Sequence, residues 1–245
     1  MKGANFLSPR LAAVLSCVEK CGVLADIGTD HAYLPIEAVR AGLCKCAIAC
    51  DVSVGPLKIA ARNIRAAGFC GASESASESA SWQTHGQIET RLGDGLAPLE
   101  ENEADCIVIA GMGGMKIIEI LTAKKIGAGS VATRTILQPQ HDLEELRRFL
   151  HASRRIIIEE KLVRETARFY VIIVAEAART GAEVATWTDA EYFLGRIEGA
   201  DAVDYYREMQ RKILAYFDEI TDETAREIAK KRLEWVKKRI KERMK

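Results

Sequence analysis

Acidic residues and a glycine close the first short apolar run of the chain. Residues 26–31 read Asp-Ile-Gly-Thr-Asp-His and end a run that begins at residue 23. Gly28 would let a ligand approach the backbone closely, and a helix starting near Ala32 would offer free N–H groups to a carboxylate. Asp26 and Asp30 suit a cationic amino group or a ribose. Because Asp30 stands where a G-x-G-x-x-G fingerprint needs its second glycine, the motif disfavours a dinucleotide.

A second acidic residue, Asp51, ends the next apolar run, 25 residues after Asp26. An acid at this place in a Rossmann-like sheet typically accepts hydrogen bonds from two ribose hydroxyls. Together with the Gly28 turn, Asp51 indicates a ligand of the adenosine type. The alternative is that Asp51 caps the helix that begins near Pro56.

Two further glycine-containing turns follow the third and fourth apolar runs. Residues 91–96 read Arg-Leu-Gly-Asp-Gly-Leu, in which Asp94, followed by Gly95, would contact an adenine amino group. The alternative is that these residues are present only because the turn requires positive φ angles. Residues 109–114 read Ile-Ala-Gly-Met-Gly-Gly, which indicates a ligand or substrate lying against the backbone. Because the carboxyl ends of successive parallel strands share one sheet edge, the four turns predict one cleft.

Apolar runs alternate with helix-periodic stretches through the first 175 residues. The runs cover residues 23–27, 46–50, 88–92, 106–110, 131–137, 156–163 and 169–175, and the helical stretches cover residues 31–41, 56–67, 115–123 and 142–150. This alternation predicts βαβ units and a mostly parallel α/β sheet. Residues 159–167 leave no room for a crossover helix, so the last two strands should form an antiparallel hairpin. Such an edge is typical of Rossmann-like class I methyltransferases and less so of nicotinamide dehydrogenases.

Helical periodicity replaces the alternation beyond Thr186. Apolar residues at 206, 209, 213, 217 and 220, and again from 228 to 244, predict two antiparallel helices. The turn between them should lie near Thr221, with Asp222 capping the second helix. We therefore predict a sheet domain of residues 1–186 and a small helical, coiled-coil-like domain of residues 187–245.

Ten Lys and Arg against three Glu give residues 226–245 a net charge of +7. This charge indicates a polyanionic partner or, alternatively, a solvated helix face.

The bulk composition is that of a soluble globular protein. Of the 245 residues, 48% are hydrophobic and 29% charged. We find no apolar run of about 18 residues and no secretory leader, so we expect a cytoplasmic protein without a membrane span.

Seven cysteines, an odd number in mostly apolar surroundings, predict reduced thiols. Cys44, Cys46 and Cys50 lack C-x-x-C spacing, which predicts core packing and no metal. The Ser/Glu repeat at residues 73–81 predicts a mobile surface insertion.

Several blocks of the sequence resemble one known family, the bacterial tRNA methyltransferases that modify N1 of adenine 22 in the D-arm. The blocks are residues 7–11, 26–35, 51–57, 93–96, 109–114 and 137–140, in order through the predicted sheet domain. The G-T-D-H-A-Y-L-P and A-G-M-G-G blocks are the most specific of them. The helical end also resembles the family's C-terminal extension. Gln140 departs from the family, which usually has Asn there, and the insertion at residues 73–81 is longer than expected.

The resemblance implies S-adenosyl-L-methionine as cofactor and tRNA as partner. Since N1 lies on the Watson–Crick edge of adenine, the target base must be unpaired and turned out of the stack. We expect Asp26, Gly28 and Asp30 to hold the methionine end of the cofactor, Asp51 its ribose and Asp94 its adenine. The full cofactor-binding set is expected to be Arg10, Asp26, Gly28, Asp30, His31, Asp51, Asp94, Gly95 and Gly111. The residues expected at the reacting atoms are Asp30, His31, Gly111, Met112 and Gly113, and those expected on tRNA phosphates are Lys230, Lys231, Arg232, Lys237, Lys238 and Arg239.

Three other functions fit part of the pattern. A methyltransferase of the same fold acting on a small molecule or a protein would share the cleft but leave the basic helix without a role. A nicotinamide oxidoreductase is disfavoured by Asp30 and by the terminal hairpin. A non-catalytic cofactor-binding module of an RNA-associated assembly is disfavoured by the intact glycine turns. We expect a monomer, and the alternative is a dimer through the stripe formed by Ile228, Leu233, Val236 and Ile240.

Overall fold

The computed structural model of the chain describes residues 7–69, 86–123, 134–179, 181–182 and 184–244. The predicted insertion at residues 73–81 lies outside the described residues, as do residues 131–133 of the fifth predicted strand. Within the described ranges, the order of strands and helices follows the predicted alternation of apolar runs and helical stretches.

Seven strands form one sheet in the order β3-β2-β1-β4-β5-β7-β6. The first five strands in this order pair in parallel, and β7 runs antiparallel to both β5 and β6. The sheet is therefore mostly parallel with an antiparallel hairpin at one edge, as predicted. The strands are β1 (Cys21–Ile27), β2 (Cys44–Asp51), β3 (Ile88–Leu92), β4 (Cys106–Met112), β5 (Arg134–Pro139), β6 (Arg155–Glu165) and β7 (Arg168–Ala177).

Helices follow β1, β2 and β4, whereas turns alone join β3 to β4, and helices pack against both faces of the sheet. They are α1 (Pro9–Leu15), α2 (Tyr33–Arg40), α3 (Val54–Ala66), α4 (Gly114–Ala123), α5 (Leu143–Ala152), α6 (Asp189–Leu194), α7 (Ala202–Phe217) and α8 (Glu223–Arg243). The short helices α1 and α6 are not part of the predicted pattern, because neither is long enough to show a helical period. Both begin with a side-chain cap: Ser8 accepts from the Leu11 N–H, and Thr188 forms a capping box with Glu191.

Strand β4 runs two residues further than predicted, to Met112. Gly111 and Met112 therefore belong to the strand end, where the pairing with β5 is irregular between Ala110 and Met112. The carboxyl ends of β1 to β5 meet at the same edge of the sheet, which we call the site edge. Because α5 follows β5, its first turn also lies at the site edge.

The two long C-terminal helices are antiparallel. The Arg207 guanidinium lies 3.9 Å from Met244 Sδ, and the Arg226 guanidinium lies 5.6 Å from the Phe217 ring, so each helix begins where the other ends. Asp222 caps α8 as predicted, accepting from the Ala225 N–H over 2.7 Å. The apolar faces of α7 and α8 belong to the same hydrophobic core as one face of the sheet. None of the helices in the described ranges combines the length and hydrophobicity that a bilayer crossing requires.

Candidate functional site

A cavity of about 280 Å³ opens at the site edge, beside the ends of β1 and β4. It brings together six of the predicted site residues, which come from α1, the turn after β1 and the end of β4. These six are Arg10, Asp26, Gly28, Asp30, His31 and Gly111, and the cavity is completed by Leu11, Thr29, Tyr33, Leu34 and Ala110. The predicted residues Asp51, Asp94, Gly95, Met112 and Gly113 do not line this cavity.

Asp26 is the most deeply buried acidic group of the cavity, with 6% of the residue exposed. Burial raises the pKa of its carboxyl group to about 6, and the negative charge of Asp51 adds to this rise. The Thr29 hydroxyl donates to Asp26 Oδ2 over 2.7 Å, which favours the ionised carboxylate and limits the shift. A carboxylate held in this way is suited to pair with a cationic group of a ligand.

The turn after β1 keeps its backbone close to the neighbouring strands. The N–H groups of Gly28 and Thr29 both donate to the Cys50 carbonyl over 2.9 Å, which brings the turn beside Asp51 at the end of β2. Gly28 has φ of +76°, and a Cβ there would come 2.4 Å from Met112 Cε. The flexible Met112 side chain therefore covers Gly28, so the β1 and β4 turns form one continuous surface. Asp51 itself accepts from the Ser53 N–H over 2.8 Å.

His31 faces the cavity with one ring nitrogen unsatisfied. Its Nδ1 atom is buried and has no hydrogen-bond partner among the described residues. The ring meets Tyr33 edge to face at 5.6 Å, and the His31 carbonyl accepts from Asn63 Nδ2 over 3.0 Å. A buried polar atom without a partner is costly, which marks this ring nitrogen as one that a ligand could satisfy.

Arg10 is positioned by Gln138, which lies in the block at residues 137–140 but was not predicted as a site residue. Gln138 is fully buried, and its Oε1 accepts from Arg10 Nη1 over 2.6 Å and from the Gly111 N–H over 3.2 Å. The Arg10 guanidinium also lies 5.7 Å from the Tyr170 ring. One glutamine thereby fixes both the cation and the strand end at the cavity wall. A buried glutamine in a strand was the available signal, but its two partners lie 128 and 27 residues away.

Gly113 and Gly114 pack against the segment that follows β5. A Cβ on Gly113 would come 2.5 Å from His141 Cε1, and one on Gly114 would come 2.5 Å from the Asp142 carbonyl oxygen. The structure therefore gives these two glycines a packing reason beyond the predicted approach of a ligand. His141 and Asp142 were not predicted as site residues, because nothing local to residues 137–142 shows what they face.

The turn after β3 lies outside the cavity lining. The Asp94 side chain is 68% exposed and lies 3.8 Å from Lys116 Nζ on α4. Gly95 has φ of +53°, and a Cβ there would meet Ile120 at 3.0 Å, so its position also reflects packing against α4. Two apolar side chains near this edge are exposed, Val52 at 66% and Leu92 at 57%. Together with Asp51 and Asp94 they give the adjoining surface a mixed apolar and acidic character.

The six basic residues predicted to bind tRNA divide into two groups along α8. Four of the six are exposed lysines. They form two pairs whose members are seven residues apart along the helix, Lys230 with Lys237 and Lys231 with Lys238. Arg232 and Arg239 instead turn toward the body of the protein. Arg232 pairs with Glu144 on α5 over 2.7 Å, and Arg239 Nη1 donates to the Gly195 carbonyl over 3.3 Å. We call the four exposed residues the outer lysines.

The cysteines of β2 are core residues. Cys44, Cys46 and Cys50 are at most 2% exposed, and burial raises the pKa of the Cys44 and Cys50 thiols to about 12. Among the residues that the structure describes, no three His, Cys, Asp or Glu side chains are grouped closely enough to hold a metal ion. The core packing predicted for these three cysteines is confirmed.

The strand order, the hairpin edge and the cavity at the carboxyl ends of β1 and β4 define a Rossmann-like methyltransferase. The methyltransferase domain family matches residues 7–173. The tRNA (adenine(22)-N(1))-methyltransferase of Bacillus subtilis is 37% identical over 171 residues, which span 70% of this chain and 65% of that protein's length.

Two solved structures extend the similarity over nearly the whole chain. The crystal structure of the Bacillus subtilis m1A22 tRNA methyltransferase is 30% identical, with a TM-score of 0.70 over 96% of each chain. A Streptococcus pneumoniae protein solved in complex with S-adenosyl-L-methionine is also 30% identical, with a TM-score of 0.78 over 96% of this chain and 100% of that one. The chain belongs to the family of bacterial tRNA (adenine(22)-N1)-methyltransferases.

Proposed function

We propose that this protein transfers the methyl group of S-adenosyl-L-methionine to N1 of adenine 22 in the D-arm of bacterial tRNA. The observation that carries the proposal is the cavity at the site edge, where Arg10, Asp26, His31 and Gly111 meet in one place. These residues come from three blocks of sequence that resemble the family. The Bacillus subtilis relative is named for this reaction, and the proposal extends it to this chain.

The residues of the cavity fit the charged end of S-adenosylmethionine. Its amino acid part carries a carboxylate and a cationic amino group. The Arg10 guanidinium, held by Gln138, offers donors for the carboxylate, and the buried Asp26 carboxylate offers an acceptor for the amino group. The unpartnered Nδ1 of His31 is a further polar atom that a ligand would satisfy. Asp51 at the end of β2 is left to accept from the ribose hydroxyls.

The chemical task of the protein is alignment. When bound, S-adenosylmethionine supplies an electrophilic methyl group on a sulfonium ion. The N1 lone pair of neutral adenine is available without a strong base, so the chain has to hold the base in line with the methyl group and exclude water. The backbone from Gly111 to Gly114 forms the wall against which the base would lie. Nearby carboxylates and carbonyl groups would stabilise the positive charge that appears on the methylated ring.

Binding of tRNA is assigned to the helical region at residues 187–245, which we treat as a second domain. The outer lysines are exposed, and among the described residues their ion pairs and ring contacts lie within α8: Lys230 and Lys238 pair with Glu227 and Glu242, and Lys231 lies near the Trp235 ring. They can therefore turn to phosphates, whereas Arg232 and Arg239 contact other parts of the protein. Phosphate contacts position a substrate without reading its sequence, so base selection falls to the site edge. We place the protein in the cytoplasm, where its proposed substrate is made. We propose a monomer, because Leu233 and Val236 of the predicted dimer stripe are buried within one chain.

Methyl transfer with nucleoside analysis tests this proposal. The purified protein is incubated with methyl-labelled S-adenosylmethionine and unmodified bacterial tRNA, and the RNA is digested to nucleosides. We expect the label in 1-methyladenosine. Binding of the cofactor without transfer to tRNA would contradict the proposal and would favour a methyltransferase of the same fold that acts on a small molecule or a protein.

A further inference from the structure

The segment that follows β5 is joined to the start of α4 at the site edge. The Gln140 N–H donates to the Met112 carbonyl over 2.8 Å, and the Gly114 N–H donates to the His141 carbonyl over 3.0 Å. Between these two bonds the His141 imidazole lies against Gly113, since a Cβ there would come 2.5 Å from its Cε1 atom. The ring therefore lies against a residue, Gly113, that is only two positions after Gly111, which lines the cavity.

Asp142 determines which nitrogen of the His141 ring carries a proton. Nδ1 of His141 lies 2.7 Å from Asp142 Oδ2, and an ionised carboxylate can only accept. We therefore assign the hydrogen to Nδ1, and in this neutral tautomer Nε2 presents a lone pair. The Met115 N–H also approaches Asp142 Oδ2, at 3.4 Å, which ties the carboxylate to the first turn of α4. The His141 side chain is 68% exposed, so this acceptor is open to a substrate.

We infer that Nε2 of His141 accepts a hydrogen bond from the exocyclic amino group of the target adenine and thereby selects adenine at this site. The inference rests on the proposed function. The amino group of adenine is bonded to C6, next to N1, so a base presented for methylation at N1 brings this donor to the same wall. Guanine carries an oxygen acceptor at C6, which would face the Nε2 lone pair unfavourably. His141 is thus assigned as a base-recognition residue rather than a proton carrier.

The test pairs a change in the enzyme with a change in the base. Single-turnover methylation is measured for the wild type and His141→Ala on two tRNAs, one with adenine at position 22 and one with purine, which keeps N1 but lacks the amino group. We expect His141→Ala to lose about tenfold in rate on the adenine tRNA, the size of one hydrogen bond. On the purine tRNA the two enzymes should have equal rates. Equal losses on both tRNAs, or no loss on either, would overturn the inference.

Three further variants separate recognition from packing. His141→Gln carries an amide oxygen that can replace Nε2, so it should recover most of the rate on the adenine tRNA. Asp142→Asn keeps a side chain that tolerates the φ of +58° at this position, but its amide can donate to Nδ1 as well as accept from it. It no longer holds the ring in one tautomer, so it should share part of the adenine-specific loss. Glu145→Ala, exposed in the same turn of α5, is the matched control and should leave both rates unchanged. A wild type inactive on the adenine tRNA would overturn the proposed function itself.

Discussion

The Arg147 guanidinium on α5 donates to the Glu160 carboxylate on β6 over 2.7 Å, and both side chains are at most 1% exposed. Arg147 also donates to the carbonyls of Tyr192 and Phe193, and Glu160 accepts from the Arg196 N–H. This ion pair therefore binds residues 192–196, which lead into the C-terminal helices, to the sheet. Removing residues 187–245 would expose a buried charge pair, so deletion is a poor test of tRNA binding.

We expect Glu160→Gln to lower the free energy of unfolding by about 3–5 kcal/mol, because it leaves Arg147 charged, buried and without its ionised partner. Urea denaturation at neutral pH measures the loss. Replacing both residues by apolar ones, Arg147→Met with Glu160→Leu, should recover much of it. Arg148→Ala on the same helix removes exposed ion pairs with Glu144 and Asp189 and should cost about 1 kcal/mol or less. Similar losses in the Glu160→Gln and Arg148→Ala variants would contradict this account.

The raised pKa of Asp26 predicts a stability that depends on pH. Burial raises the pKa of this carboxyl group from its ordinary value of 3.8 to about 6, so the folded state binds more protons between these pH values. The free energy of unfolding should therefore fall as the pH rises from about 4 to 6, by up to about 3 kcal/mol from this group. Asp26→Asn should remove that part of the pH dependence and be more stable than the wild type above pH 6. Parallel pH profiles for the two proteins would contradict the assignment.

The same carboxyl group should make cofactor binding depend on pH. Only the ionised form attracts a cationic amino group, so the affinity for S-adenosylhomocysteine should fall up to tenfold for each pH unit below about 6. Isothermal titration calorimetry between pH 5 and 8 measures this. Asp26→Asn should bind weakly at every pH, without the slope. Wild-type affinity in this variant would exclude Asp26 from the site.

Gly114 tests the packing between α4 and the segment after β5. A Cβ there would meet the backbone carbonyl oxygens of Asp142 at 2.5 Å and His141 at 2.8 Å, neither of which can turn away alone. Gly114→Ala should therefore lower the free energy of unfolding by about 1–3 kcal/mol and reduce methylation by displacing His141. Gly55→Ala on α3 has no heavy atom within 4 Å and should leave stability unchanged or raise it by up to about 1 kcal/mol. Equal effects of the two substitutions would show that the close contact is absent.

Much of this architecture could be predicted from local pattern, and the closest contacts of the site could not. Period-two and period-3.6 repeats arise because one face of a strand or helix is buried, and the predicted run at residues 88–92 matches β3. The cap at Asp222 could also be predicted locally, from the residue type at the start of α8. The pairing of Gln138 with Arg10 and the packing of His141 on Gly113 join residues 28 or more positions apart. Their geometry depends on how the sheet brings strands together, which no local repeat encodes. Arg232 and Arg239 show the same limit, because basic charge alone does not tell outward lysines from inward arginines.

The outer lysines should set the salt dependence of tRNA binding. Replacing Lys230, Lys237 and Lys238 by Ala should weaken binding of any tRNA and reduce the slope of log affinity against log salt by about 2–3, one step of about 0.7–0.9 for each lost phosphate contact. Fluorescence anisotropy over a salt series measures this. Lys20→Ala with Lys45→Ala, exposed at the sheet edge opposite the site, is the matched control. An unchanged slope in the triple variant would place the tRNA elsewhere on the protein.

The position of the methyl group in the tRNA tests most directly whether the protein methylates N1 of adenine 22. Methylation of N1 blocks Watson–Crick pairing, so reverse transcription of tRNA treated with the protein and S-adenosylmethionine should stop at position 22. We expect this stop for the wild-type protein, and we expect it to be lost both when adenine 22 is replaced by another base and when S-adenosylmethionine is omitted. A stop at a different adenine, or none despite bound cofactor, would contradict the assignment of this chain to N1 of adenine 22.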